Sequence, residues 1–260
     1  CIGMALTGMR PISEIMFADF MLVAMDQIVN QMNKVCYMSG GQKNVPMVIR
    51  TTIGAGRAAA AQHSQSLLAP IAHFPGAKIV IPSDAYTAKG LLKSAIRDNN
   101  PVIVVEHRKQ FSMEYDMPDD ADENLLIPIG KSAVVHEGTD VTVVASAYQV
   151  GQCVNVAKHL EKKGISVEVI DLRTLVPLDK ETIVKSVKKT GRLLIVDEGY
   201  ESFGVAAEIT AAIEKDVFYD LDMPISRLAA PDVPIPFSPA LEKLIVPTEK
   251  TILNAIKELV

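Results

Sequence analysis

Apolar positions along the chain fall into two regimes. From residue 139 onward, short β-branched runs over 141–145, 167–171, 193–196 and 225–228 read as strands. Between them, 150–163, 180–189 and 205–214 carry apolar residues at helical spacing, the first two closed by Gly164 and Gly191, and a last helix is expected over 248–259. Strands alternating with helices of this length predict a parallel, doubly wound sheet joined by right-handed crossovers.

The first half repeats the plan less regularly. Arg10-Pro11 is a turn signal before an apolar run over 12–20, and Met21, Ala24, Met25, Ile28 and Met32 form a helical stripe over 21–34 that Ser39-Gly40-Gly41 breaks. Residues 45–51 read as a buried strand and Gly54-Ala55-Gly56 as a loop, with a helix expected in the alanine-rich stretch that follows. Strands at 78–82 and 102–106 flank a helix that Asp84 caps and that runs to about Asp98. The expected fold class is therefore α/β with two doubly wound domains, 1–124 and 125–260. A polar, acidic surface linker is expected over about 108–124.

Composition narrows the function classes. A chain of 260 residues, 48% hydrophobic with no Trp and a formal charge of −5, carries no clustered basic footprint for nucleic acid. Cys1, Cys36 and Cys153 are odd in number and widely spaced, which fits free thiols in a reducing cytoplasm. No apolar run reaches the roughly 20 residues of a membrane span. Methionines crowd the first part of the chain, where they serve a core or a subunit interface.

Three stretches hold candidate chemistry. Gly54-Ala-Gly56-Arg-Ala-Ala59 follows a strand and satisfies the G-x-G-x-x-A dinucleotide fingerprint, though the expected downstream acidic residue is absent. Gln62, His63, Ser64 and Gln65 interrupt an otherwise small, apolar stretch, so they are either exposed or line a polar cavity. His63 is a group able to move a proton near neutral pH. Asp98-Asn99-Asn100-Pro101 reads as turn chemistry at a helix end, where carbonyls and one carboxylate can also face a monovalent cation.

Several segments together resemble one family. They are Gly8-Met-Arg-Pro11, Glu14-Ile-Met-Phe17, Met25-Asp-Gln-Ile-Val-Asn30, Tyr37-Met-Ser-Gly-Gly41, Val45-Pro-Met-Val-Ile-Arg50 and Ala61-Gln-His63-Ser-Gln65, continuing through the segment from Lys89 to Pro101, the segment from Val167 to Thr174, and Pro234-Ile-Pro236. In this order they look like the beta subunit of the thiamine-diphosphate-dependent component of 2-oxo acid and acetoin dehydrogenase complexes. The resemblance implies a transketolase-like pyrimidine-binding domain followed by a transketolase C-terminal-like domain. It implies an alpha subunit in an alpha2beta2 heterotetramer, a lipoyl-bearing acyltransferase core as downstream partner, and thiamine diphosphate shared between the subunits.

In that family the alpha chain holds Mg2+ and the diphosphate through a Gly-Asp-Gly…Asn motif, which this sequence lacks. By the same resemblance His63 matches the active-site histidine that assists proton transfer and reductive acylation of lipoamide. Phe20 matches an aromatic beside the aminopyrimidine ring. Met47, Ala95, Ile96, Asp98 and Asn100 match positions that bind a structural potassium ion (K+) in some members. The family's cofactor-activating glutamate falls just before Cys1, in a segment for which Pro11-Ile-Ser-Glu14 is a look-alike. Its flanks place Glu14 in the next segment, and it is not assigned as the activator.

The expected function is cleavage of the substrate C–C bond and transfer of the acyl group to lipoamide, together with an alpha subunit. Arg50-Thr-Thr-Ile-Gly-Ala-Gly56 is closer to acetoin-type than to pyruvate-type members. Two other classes stay open on the residues alone: a non-catalytic assembly subunit and a dinucleotide-binding protein.

Overall fold

The structure, a computed structural model, describes residues 1–118 and 122–260. The first half contains α1 (Ile2–Leu6), β1 (Ile12–Ile15), α2 (Val35–Met38), β2 (Val48–Ile53), α3 (Leu68–His73), β3 (Lys78–Val80), α4 (Ala85–Arg97) and β4 (Val102–His107). The second half contains β5 (Ala133–His136), β6 (Val141–Ala145), α5 (Tyr148–Glu161), β7 (Val167–Asp171), β8 (Thr174–Val176), α6 (Lys180–Thr190), β9 (Leu193–Tyr200), α7 (Val205–Val217), β10 (Ser226–Ala230), α8 (Pro239–Ile245) and α9 (Glu249–Lys257).

Two five-stranded sheets result, with strand orders β1-β2-β4-β3-β8 and β10-β9-β6-β7-β5. In each, four strands are parallel and one edge strand, β8 or β5, runs antiparallel. The parallel α/β expectation holds, with antiparallel edges that strand periodicity does not reveal. The first sheet takes β8 from beyond residue 125, pairing Ile79 with Val176 and Val80 with Thr174.

Strands buried on both faces explain the near-continuous apolar runs. On β6, Val141, Val143 and Ala145 face a cluster with Cys153, Leu160, Ile252 and Ile256 of α5 and α9. Val144 turns the other way, toward Ile183, Val187, Ile209 and Ile213 of α6 and α7. That second cluster continues into Ile49, Ile79 and Ile103 of the first sheet, so one apolar core spans both halves. On β4, Val102 and Val104 face Leu91 and Ala95 of α4.

The helix signals are confirmed where side chains cap them. Asp84 and Thr87 form a reciprocal capping box at α4, as Thr248 and Thr251 do at α9. Asp179 caps α6, and Gly191 closes it in the left-handed region.

Two expectations fail. Residues 21–34 follow a helical path in pieces, a 3-10 turn over Ala18–Leu22 and a π-helical turn over Gln27–Met32, although Met21, Ile28 and Met32 are buried as the stripe requires. The alanine-rich stretch after Gly56 forms no helix until α3, because Ala58 (φ 54°) and Ala60 (φ 60°) adopt the left-handed region. That removes the helix N-terminus on which a dinucleotide fingerprint depends. The stretch read as a surface linker is mostly exposed where described; it begins with a 3-10 turn over Arg108–Ser112 whose first three residues are half-buried, while Asp119 and Asp120 of its acidic run lie outside the described residues.

Candidate active site

β1, β2 and β4 are neighbours in the first sheet, so the chain leaves their C-terminal ends in one place. Ile53 and His107 pair in register, which sets the loop after β2 against the turn after β4. Three pieces of chain thus converge outside the carboxyl ends of parallel strands, where doubly wound sheets build their sites.

From the β1 end come Phe17 and Phe20, and from the loop after β2 comes His63. The His63 ring stands edge-on to both, with centroids 5.0 Å from Phe17 and 5.3 Å from Phe20, and the two phenyl rings are 5.6 Å apart. From the β4 end, the Arg108 guanidinium lies 4.6 Å from the Phe17 ring centre, a cation–π contact. The two residues expected at the cofactor, His63 and Phe20, are therefore brought together.

The polar groups of the cluster divide. The Gln65 amide donates to Asp19 Oδ1 at 2.7 Å. Asp19 is buried, and its Oδ2 has no protein partner, nor do the buried hydroxyls of Ser64 and Ser66. Burial, reinforced by the Asp19 carboxylate, pushes the Tyr200 hydroxyl above its ordinary value. Unpartnered buried acceptors beside a half-open aromatic corner suit a polar heterocyclic ligand, since each such group left bare costs about 1–3 kcal/mol.

A second polar centre lies where the two halves meet. In the second sheet the winding order switches between the parallel neighbours β6 and β9; Gln149 lies in the first turn of α5, just after β6, and Glu198 near the end of β9. The buried Glu198 carboxylate accepts from the Ala55 amide at 2.7 Å, from Gln149 Nε2 at 3.0 Å, and pairs with His107 Nε2 at 3.0 Å. Burial alone would raise its pKa; the charge and hydrogen bond of His107, with the Ala55 and Gln149 donors, outweigh that and hold it down at about 2. Tyr148 stacks on His107 with centroids 5.1 Å apart, and Lys109 lies 4.8 Å over the Tyr148 ring.

The glycines of the apparent fingerprint answer to this packing. A Cβ on Gly54 (φ 107°) would sit 2.0 Å from His107 Nε2, and one on Gly56 (φ 94°) 1.8 Å from Lys109 Cε. Positive φ requires glycine at both positions, and at Gly54 the close approach of the His107 ring adds to it.

The five residues matched to a potassium ion also gather, at the N-terminal ends of the inner strands β2 and β4. The Met47 carbonyl accepts from the Val102 amide at 3.0 Å, beside Asn100, while Ala95, Ile96 and Asp98 end α4. Cationic side chains face this group. Arg10 donates to the carbonyls of Ile96 (3.0 Å) and Asp98 (2.7 Å), and Lys78 pairs with the Asp98 carboxylate at 2.5 Å. Burial raises the Asp98 pKa, and the Lys78 and Asn100 donors more than reverse it. Among the described residues, no three His, Cys, Asp or Glu side chains are grouped to hold a metal.

Residues that sequence reading missed were Phe17, Arg108 and Glu198. Two consecutive acids, Asp197-Glu198, following an apolar run were the available signal for one of them.

Comparison with known proteins places this geometry in context. Residues 1–113 match the family "Transketolase, pyrimidine binding domain" and residues 130–252 match "Transketolase, C-terminal domain". The chain is 45% identical over 257 residues to "Acetoin:2,6-dichlorophenolindophenol oxidoreductase subunit beta" of Cupriavidus necator, covering 99% of this chain and 75% of that protein. It is 47% identical over 259 residues to "Pyruvate dehydrogenase E1 component subunit beta, mitochondrial" of Bos taurus, covering 99% and 72%. A solved structure described as "Split gene transketolase, inactive beta4 tetramer" shares the fold, with a TM-score of 0.79 at 24% identity over 99% of this chain and 78% of that one.

Proposed function

The chain belongs to the family of acetoin and pyruvate dehydrogenase beta subunits built on transketolase-type domains, and on that premise we propose that it is half of a thiamine-diphosphate site that cleaves a substrate C–C bond and passes the acyl group to lipoamide. The observation that carries the reading is the His63 ring held edge-on by Phe17 and Phe20 at the carboxyl ends of three adjacent strands.

Thiamine diphosphate, when bound, stabilises the negative charge left as the C–C bond breaks. This chain's contribution is to receive and orient. Phe20, 38% exposed, offers an open apolar edge beside which the aminopyrimidine ring would lie. Asp19 Oδ2 and the Ser64 hydroxyl are the unpartnered groups nearby. His63 holds the proton that moves during acyl transfer to lipoamide, and Arg108 over Phe17 narrows the approach.

An alpha subunit completes the site in this reading, supplying the groups for Mg2+ and the diphosphate. The exposed apolar residues Met16, Leu22, Val23, Tyr37 and Met38 of the first half support a covered face. We assign an alpha2beta2 assembly delivering to a lipoyl-bearing core, which light scattering of the co-expressed subunits tests; a beta chain that stays unassociated with any alpha partner would overturn it. Among the described residues no helix is long and apolar enough to cross a membrane. The cytoplasm is the proposed location, checked by cell fractionation.

His63→Ala is expected to keep thiamine diphosphate affinity in the reconstituted complex and to slow acyl transfer to lipoamide by roughly 10²–10⁴-fold. Unchanged transfer would remove His63 from the chemistry. Failure of every alpha–beta pairing to bind the cofactor would leave the non-catalytic assembly role instead. Acetoin is the proposed substrate, on the loop from Arg50 to Gly56, and a higher kcat/KM for pyruvate or a branched 2-oxo acid than for acetoin would correct it.

Potassium is carried as a proposal for the Met47, Ala95, Ile96, Asp98 and Asn100 group. The donors have the right chemistry, carbonyls and one carboxylate, and the ion would share them with Arg10 and Lys78. Equal Tm values in K+ and in tetramethylammonium would dismiss it.

A further inference from the structure

We propose that Glu198 and Glu242, both from the second half of the chain, are positioning residues that fix the path of residues 54–60 and through it the place of His63. The inference rests on the functional reading above for its catalytic consequence, while its geometry stands alone.

Four residues of the loop, Gly54, Gly56, Ala58 and Ala60, have positive φ at alternate positions. Alternation of handed conformations turns successive backbone N–H groups to one side and makes a concave anion nest. Here the anions are built in. Glu242 on α8 accepts from the Gly56 amide at 2.6 Å through one oxygen and from the Ala58 amide at 3.1 Å through the other. Glu198 on β9 accepts from the Ala55 amide. Both glutamate side chains are buried, so these bonds are shielded from water.

Without them this sequence has a competing conformation. Ala58, Ala59, Ala60 and Ala61 are strong helix formers, and alanine in the left-handed region is strained. In a helix starting at Gly54 the Ala58 amide would turn to the Gly54 carbonyl and leave one buried Glu242 oxygen without its donor. The two glutamates therefore select the irregular path over the helix. Five residues beyond Ala58 stands His63, its own amide bonded to the Ala60 carbonyl at 3.4 Å. A loop rewound into helix would shorten and rotate the chain between Ala58 and His63, taking the imidazole away from Phe17 and Phe20.

The test compares Glu242→Ala, Glu242→Gln and His63→Ala in the complex with its alpha chain. The first readout is independent of turnover: peptide-resolved modification of His63 by diethyl pyrocarbonate, expected to quicken about 5-fold or more in Glu242→Ala as the loop opens locally. The second is a kcat against KM split. Acyl transfer in Glu242→Ala should fall roughly 10–100-fold, with substrate KM and thiamine diphosphate affinity unchanged. Glu242→Gln, which keeps one acceptor oxygen, should recover part of both and also serves if the alanine variant fails to fold.

Unchanged His63 modification in both Glu242 variants would overturn the proposal. So would loss of cofactor affinity and assembly in parallel with transfer, which marks a merely structural glutamate. Should His63→Ala transfer normally, the catalytic reading fails, and the modification rates still decide whether the carboxylates place the ring.

Discussion

The two halves of the molecule carry sheets of the same plan, four parallel strands with one antiparallel edge, yet they connect those strands in different ways. In the second half, α5, α6 and α7 cross over as regular helices of 14, 11 and 13 residues. In the first, only α4 is comparable; the other crossings pass through 3-10 and π turns and the irregular loop after β2. A helix satisfies its own backbone groups, whereas an irregular crossing must find partners for them elsewhere. In the first half those partners are side chains from the other half, Glu198 and Glu242. The regular crossings build the core, and the irregular ones present Phe17, Phe20 and His63.

Of the irregular crossings, the loop after β2 is most sensitive at Gly54. Gly54→Ala adds backbone strain of about 1–3 kcal/mol to a clash with His107 of similar size. The variant should unfold at lower denaturant and lose His63-dependent transfer together. A denaturation midpoint equal to wild type would mean the loop tolerates a Cβ.

Acid titration sharpens the contrast between two carboxyls at the junction. Glu198 is held at about 2 against an ordinary 4.5, so its contribution is complete above 4.5 and disappears as the pH falls through 2. Asp171, fully buried at the end of β7, is the reverse. Burial pushes it up to about 6 from 3.8, although the Ser83 hydroxyl and Arg173 pull the other way. The unfolded chain then releases that proton first, and the stability Asp171 lends below 3.8 is lost as the pH rises through 6. Relative to wild type, Asp171→Asn should gain stability from pH 4 to 6 and change little above. The deficit of Glu198→Gln should instead grow between pH 2 and 4.5. Urea midpoints across pH would expose either sign as mistaken.

The smallest effects come from one helix glycine in each half. A Cβ on Gly90 of α4 would lie 2.5 Å from Ile127, while Gly151 of α5 has nothing within 4 Å. Overpacking offset by helix propensity leaves Gly90→Ala destabilised by about 1–2 kcal/mol. Gly151→Ala should be stabilised by about 0.5–1 kcal/mol. Calorimetric Tm shifts of the same sign in both would contradict the packing described.

Much of the second half was readable before the fold was known, because its signals are local. The strand over 141–145 and the helix stop at Gly191 follow from apolar period and from a residue that tolerates the left-handed region. In the first half, local signals misled. The alanines after Gly56 favour helix, and only the distant carboxylates of Glu198 and Glu242 override them. His63 was legible as a polar interruption in an apolar stretch, and Phe20 came through family resemblance. Phe17, Arg108 and His107 carried no local mark, since their roles depend on which strand ends are neighbours.

By itself, then, the sequence determined the α/β class, the capped helices, the residues of the core and the family to which they belong. Those rest on periodicity and side-chain chemistry within a few positions of one another. Tertiary structure alone decided that β8 completes the first sheet, that the glycine loop avoids a helix, and that His63 meets Phe17 and Phe20. Each of these needs groups far apart in the chain to satisfy one another's hydrogen bonds and charges, which no local pattern encodes.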